Sequence, residues 1–258
     1  MNMKWVNLWN VGKFLLLFIF SQLAAILLLI VGSFIYSRVA QIDPFFQMRS
    51  LEMMAWVPFL GSFLIIGHIL FWRSFDLKVL RISELKQKPF FYTFLLAMLA
   101  VVWITVLNDC LQPEDYLAEY FSEALKSPIG ILAIVLLGPI AEEFIFRGGI
   151  QRCLQEQTQK PYLSIAISAT LFGLIHGNPA QILGAGLIGT CLGWVYYCTH
   201  NLWYPIFFHM INNFIATIDI VRDGELTNYI LAGGTFISLG IGLLSLLLSL
   251  LLMNKMKG

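Results

Sequence analysis

Six side chains in this sequence are of types that do chemistry and lie in stretches otherwise made of Leu, Ile, Phe, Val and Gly: Glu142, Glu143, Arg147, His176, His209 and Asn213. A carboxylate, two imidazoles and a carboxamide, with no Ser or Cys beside a base in those stretches, suit attack by water. A carboxylate withdrawn from water serves as a general base, which assigns Glu142. His176 would share and orient the water. His209 and Asn213 would donate hydrogen bonds to the oxyanion of a tetrahedral intermediate, each worth about 2.7–4 kcal/mol. The reaction class is amide hydrolysis. The same residues offer a second chemistry, in which Glu142, His176 and His209 bind zinc as a His₂Glu set that activates the water. The HExxH motif is absent and does not decide between them.

Helical spacing sorts these residues. Glu143 and Arg147 are four apart and share a face, so they can pair, either as a structural clamp or as a substrate-positioning unit. Glu142 is rotated about 100° from Glu143 and needs a different partner. His209 and Asn213 also share a face at four-residue spacing. Pro139 lacks the N–H that would reach the carbonyl of Val135, which loosens the helix just before the acids. At about 1.5 Å per residue, Glu142 and His176 both fall roughly 20 Å from the same helix ends, and Asn213 roughly 17 Å. A common depth permits one shared site. His68 and His200 read as ordinary packing or loop histidines.

The elements that must carry these residues are membrane helices. The chain has 258 residues, 59% hydrophobic and 12% charged, with mean hydropathy +0.79; soluble domains carry about 25% charged residues. Sixteen basic against fifteen acidic residues leave a net charge of +1 and no basic field for nucleic acid. Cys110, Cys153, Cys191 and Cys198 show neither CxxC nor zinc-ribbon spacing. A spanning helix needs about 20 apolar residues, which predicts spans over 14–36, 51–72, 90–108, 129–157, 162–177, 180–198, 202–220 and 229–252. The expected fold is all-α: a polytopic membrane protein with eight transmembrane helices in one bundle, one domain over 1–258, and the polar site on spans four, five and seven. The first span is too long for a signal-peptide core and no A-x-A-like site follows it, so it is expected to be retained.

Short-loop Lys and Arg orient the bundle. Lys4, Lys13, Arg73, Lys78, Arg81, Lys86, Lys88, Arg147, Arg152, Lys160, Lys255 and Lys257 fall on one side, against Arg38, Arg49, Lys126 and Arg222 on the other. Twelve against four predicts both termini in the cytoplasm. On the other side, Pro113 to Leu125 reads as a short interfacial helix with Leu117, Phe121, Ala124 and Leu125 on one face. Small residues at every fourth position, Ala185, Gly189 and Gly193, then Gly234, Ser238 and Gly242, read as packing seams.

Taken in order, Glu142-Glu143-x-x-x-Arg147, Phe172-x-x-x-His176 and His209-x-x-x-Asn213 resemble the three motifs of the CPBP family, which comprises type II CaaX prenyl endopeptidases and bacterial Abi or bacteriocin-immunity relatives. The resemblance implies a catalytic core over 129–220. It implies Glu142 as base, His176 as water ligand, and His209 with Asn213 as oxyanion hole. Glu143, Arg147 and Phe172 take supporting or substrate-positioning roles. It also implies an intramembrane endopeptidase of the glutamate type, with no cofactor, or zinc on Glu142, His176 and His209 in the metal-dependent variant. Expected partners are the lipid bilayer and a peptide or protein substrate in or at the membrane, with no nucleic acid. The expected place is a bacterial plasma membrane. Two other function classes compete: a non-catalytic scaffold or immunity protein, and a proton-coupled transporter using Glu142 and the histidines as a relay. The absence of a second interrupted helix pairing with span four weighs against the transporter.

Overall fold

The computed structural model describes residues 8–40 and 51–257; Lys4 and Arg49 of the charge comparison lie outside them. The described residues contain no strand. Helices α1 (Leu8–Ala40), α2 (Leu51–Trp72) and α3 (Gln87–Leu111) are long apolar rods. The second has the predicted bounds, while the first and third overrun their predicted spans because hydrogen bonding continues past the apolar core into the flanking residues. Two single turns, Leu77–Leu80 and Ile82–Glu84, join α2 to α3, the first capped by the Asp76 carboxylate accepting from the Lys78 N–H. That bond holds the Asp76 carboxyl below its usual range.

A seven-residue helix, α4 (Ala118–Ala124), comes next. Ala124 and Leu125 are buried and Leu117 and Phe121 half-buried, as the predicted face requires. The long α5 (Pro128–Thr158) begins where the Ser127 hydroxyl accepts from the Gly130 N–H, with Pro128 in the first turn. After it come α6 (Pro161–Leu174), α7 (Pro179–Thr199), α8 (Trp203–Val221), α9 (Glu225–Leu231) and α10 (Thr235–Lys257). The predicted last span breaks in two: Gly234, at φ +77°, turns the chain between α9 and α10 and so lies outside the helix seam assigned to it.

Among the described residues, six helices are long and apolar enough to cross a membrane: α1, α2, α3, α5, α7 and α10. The eight-span expectation therefore resolves into these six and two helices that do not meet the same standard. One of them, α6, has 14 residues. The other, α8, has 19 but carries the polar side chains His209, Asn212, Asn213 and Asp219, of which His209 and Asn213 were expected to form the site.

The bundle has two ends. At one end, α6 starts and α10 finishes, with Lys257 Nζ donating to the Tyr162 hydroxyl (3.0 Å). There too the Leu202 N–H donates to Val79 O (2.8 Å) and the Lys86 N–H to the Tyr204 hydroxyl (2.6 Å). At the opposite, distal end, the Ala180 N–H donates to Glu114 O (3.2 Å). Asn178 is tied there on both sides: its Nδ2 donates to Asp115 Oδ1 (2.8 Å) and its Oδ1 accepts from the Tyr116 N–H (3.1 Å). The core between the ends is apolar, with Phe146, Phe172, Phe208 and Ile145 all but fully buried.

Candidate active site

The site is built around α5, whose backbone departs twice from α-helical register. Residues Ala133–Leu137 and Phe144–Gln151 are π-helical, and the six-residue α-turn between them, Gly138–Glu143, carries both acids. Such bulges commonly mark functional sites. In the five-residue register, the Gly138 N–H bonds Ala133 O. The next donor in that register would be residue 139, which is proline. The carbonyl left without its helical partner is thus Ile134 O rather than that of Val135, the residue four back that an α-helical reading singles out. Asn213 Nδ2 donates to Ile134 O at 2.9 Å, so the loosened turn is latched from α8.

Glu143 and Arg147 pair as their spacing predicts: Arg147 Nη1 donates to Glu143 Oε1 at 2.8 Å, with both side chains fully buried. Arg147 Nη2 donates to Gly189 O of α7 (3.0 Å), and the guanidinium lies 4.6 Å from the centroid of the Phe172 ring. A buried pair persists only where further hydrogen bonds satisfy both ions. His209 supplies one, with Nδ1 3.0 Å from Glu143 Oε1.

The other edge of the same ring corrects the expectation that the two acids keep separate company. His209 Nε2 lies 3.7 Å from Glu142 Oε2. An imidazole presents nitrogens on opposite edges, so one ring reaches both acids although they diverge on the helix. Glu142 itself folds back over Gly138, where an added Cβ would stand 3.9 Å from its Oε1. Its side chain keeps 21% exposure, against none for Glu143.

His176 lies just beyond the regular part of α6. The chain tightens there, with the His176 N–H donating to Gly173 O, and turns away at Gly177 with φ +63°. Nδ1 of His176 is 2.8 Å from Phe172 O. A carbonyl only accepts, so Nδ1 carries the proton, and the neutral ring presents an unprotonated Nε2. Phe172 meets the rings of Phe146, His176 and His209 edge-on, at centroid distances of 5.1, 5.1 and 5.5 Å. It is the wedge that sets both imidazoles relative to Arg147.

Glu142, His176, His209 and Asn213 all border one cavity of about 600 Å³, with Phe172 in its wall. The four proposed catalytic side chains are thus brought together, while Glu143 and Arg147 stand behind them. Among the described residues, no three His, Cys, Asp or Glu side chains are grouped so as to hold a metal ion, and Glu142, His176 and His209 are not such a set.

The supporting shell extends beyond what the spacing exposed. Gln151, four residues after Arg147, donates to Gly193 O (2.8 Å), four residues after Gly189. The small-residue stripe of α7 is therefore a rail of backbone acceptors for α5 as well as a packing seam. A Cβ at Gly193 would meet Gln151 Oε1 at 2.7 Å, and one at Gly189 would meet Phe172 at 3.0 Å. Ser168 adds a bond from α6 to Phe146 O (2.9 Å). The stripe Glu143, Arg147, Gln151, read against the stripe Gly189, Gly193, is the signal that would have found these residues. The distal connector reaches the site as well: Asp115, Ala118, Tyr120 and Phe121 line the cavity. Burial raises the Tyr120 phenol above its ordinary value.

Residues 124–215 match the family model described as type II CAAX prenyl endopeptidase Rce1-like. All seven motif residues, from Glu142 to Asn213, fall within the match. Over these residues the chain is similar to that family. The matched segment begins five residues before the predicted core and ends five residues short of its end. A Bacillus subtilis (strain 168) protein named "Putative membrane peptidase YdiL" is 33% identical over 116 residues, covering 45% of this chain and 46% of that protein. The chain thus spans about half the length of this relative. No solved structure matches the chain.

Proposed function

We propose that this chain is an intramembrane endopeptidase that hydrolyses a peptide bond of a membrane-associated or lipidated peptide or protein. The observation that carries the reading is the convergence of Glu142, His176, His209 and Asn213, from three separate segments, on one cavity whose acid is partly open to it. The matched segment and the peptidase-named relative support the same class.

In this mechanism a water donates one hydrogen to Glu142 and the other to the unprotonated Nε2 of His176, which leaves its lone pair facing the substrate carbonyl. The oxygen attacks the carbonyl carbon as Glu142 takes the proton. Asn213 gives one amide hydrogen to Ile134 O and has a second for the oxyanion. His209 donates through Nδ1 to Glu143, so Nε2 donates to the oxyanion only in the doubly protonated ring. Collapse breaks the C–N bond, and the proton on Glu142 passes to the leaving amine. The Lys and Arg bias supports cytoplasmic termini in a cell membrane.

The test is cleavage of a peptide library by purified wild type, Glu142→Gln and His176→Ala. Removing the base is expected to lower kcat/KM by about 10²–10⁴-fold. Equal turnover by all three proteins would exclude the mechanism and leave the scaffold reading. Activity that persists in chelator would set the zinc variant aside.

A further inference from the structure

The cavity is asymmetric along the bundle. Its lining comes mainly from the distal part of the bundle: Val101 to Asn108 at the end of α3, Ala180 to Ile188 at the start of α7, His209 to Ile220 from the middle of α8 onward, and the α4 connector, with Phe18 and Gln22 of α1 reaching it from short of that helix's midpoint. No residue of the 76–86 turns, the 152–162 junction or the 199–205 junction borders it. The space therefore lies toward the end of the bundle opposite the described chain ends. Most loop Lys and Arg lie at the end away from it. Of the described cations at the distal end, Lys126 pairs with Glu123 and Arg222 with Glu225.

The lining also has a sign. Asp115, Glu142 and Asp219 border the cavity together with His176 and His209, and among the described residues no Lys or Arg does. Asp219 is engaged by Thr227 through its N–H and its hydroxyl, at 3.0 and 2.5 Å. Arg147, the cation nearest the acids, is fully buried behind them and already bonded to Glu143 and Gly189. A peptide tail ending in a free carboxylate would enter this space with no Lys or Arg to pair with, against the like charge of Asp115, Glu142 and Asp219, a juxtaposition that costs several kcal/mol.

We propose that the cavity admits substrate from the extracytoplasmic side, as an extended segment that is neutral or cationic around the cleaved bond, and that it rejects a carboxylate-ended tail. That a substrate enters at all rests on the hydrolase reading; the side of opening does not.

Two measurements separate these claims. In intact cells, a membrane-impermeant maleimide is expected to label Ser122→Cys, on the exposed face of α4, and native Cys110, exposed near the end of α3. Lys160→Cys should label only after the membrane is opened, with labelled residues identified by peptide mass. Labelling of Ser122→Cys and Cys110 only after opening the membrane would overturn the sidedness. For charge, apolar peptides that wild type cuts and Glu142→Gln does not are resynthesised with Lys or with Glu flanking the cleaved bond. The Lys versions are expected to be cut at least about tenfold faster. Asp115→Asn, which keeps an oxygen for Asn178 and the Leu117 N–H, should narrow that ratio. Equal rates, or faster cutting of the Glu versions, would overturn the charge preference. Cleavage that survives Glu142→Gln would defeat the hydrolase reading while leaving the labelling result in force.

Discussion

Arg147 can carry its charge inside the bundle because three groups receive it: Glu143 Oε1, Gly189 O and the face of Phe172. Removing one member of a buried pair leaves the other uncompensated, at a cost of about 3–5 kcal/mol, whereas replacing both by apolar residues is often neutral. Arg147→Met should therefore lower the thermal unfolding temperature in detergent sharply, and Glu143→Leu with Arg147→Met should recover much of it. Cleavage should not return in the double variant, because His209 loses the acceptor that orients its Nδ1. A double variant both stable and fully active would show that the pair is only a structural clamp. The pair itself was legible from four-residue spacing. The second acid's partner was not: Glu142 and Glu143 diverge on the helix, and only the two-edged ring of His209 on α8 brings them back to one group.

At the scale of the element, the π-turns of α5 reassign hydrogen bonds that α-helical counting places elsewhere. An i to i+5 register inserts one residue into the turn and rotates the later side chains by about 100°. Pro139 then orphans Ile134 O, and Asn213 satisfies it across the helix boundary. An unpaired buried carbonyl costs about 1–3 kcal/mol, so Asn213→Ala should destabilise the fold by about that amount in chemical unfolding. Pro139→Ala supplies a backbone N–H for the same carbonyl, and in that background Asn213→Ala should cost measurably less. Strict additivity of the two substitutions would refute the latch. The proline was visible as a breaker. Which carbonyl it frees depends on the register, and no residue in the stretch announces a π-turn by type.

For the whole molecule, the fixed point is the packing of α6 against α7. A Cβ on Gly173 would stand 2.6 Å from Ile182 O and 3.2 Å from the Gly186 backbone. Backbone cannot yield as a flexible side chain does, and overpacking costs about 1–3 kcal/mol or more. Gly173→Val should therefore both lower the unfolding temperature and reduce cleavage, since Gly173 lies between the Phe172 wedge and His176. A variant that retains wild-type stability and turnover would show that the helices can part there without moving the site.

What the residues alone determined is that the chain is helical and apolar, that Glu142, Glu143, Arg147, His176, His209 and Asn213 are out of place in such stretches, and that some pairs among them share a face. Helical period and the cost of burying charge are local properties, so they can be read along a line. The tertiary structure decided that the last predicted span breaks at Gly234, that α7 offers carbonyls rather than only room, and that the cavity is lined mainly from the distal part of the bundle. Each of these depends on which backbone atoms from distant segments come within about 3 Å of one another, a condition that no spacing along the chain can express.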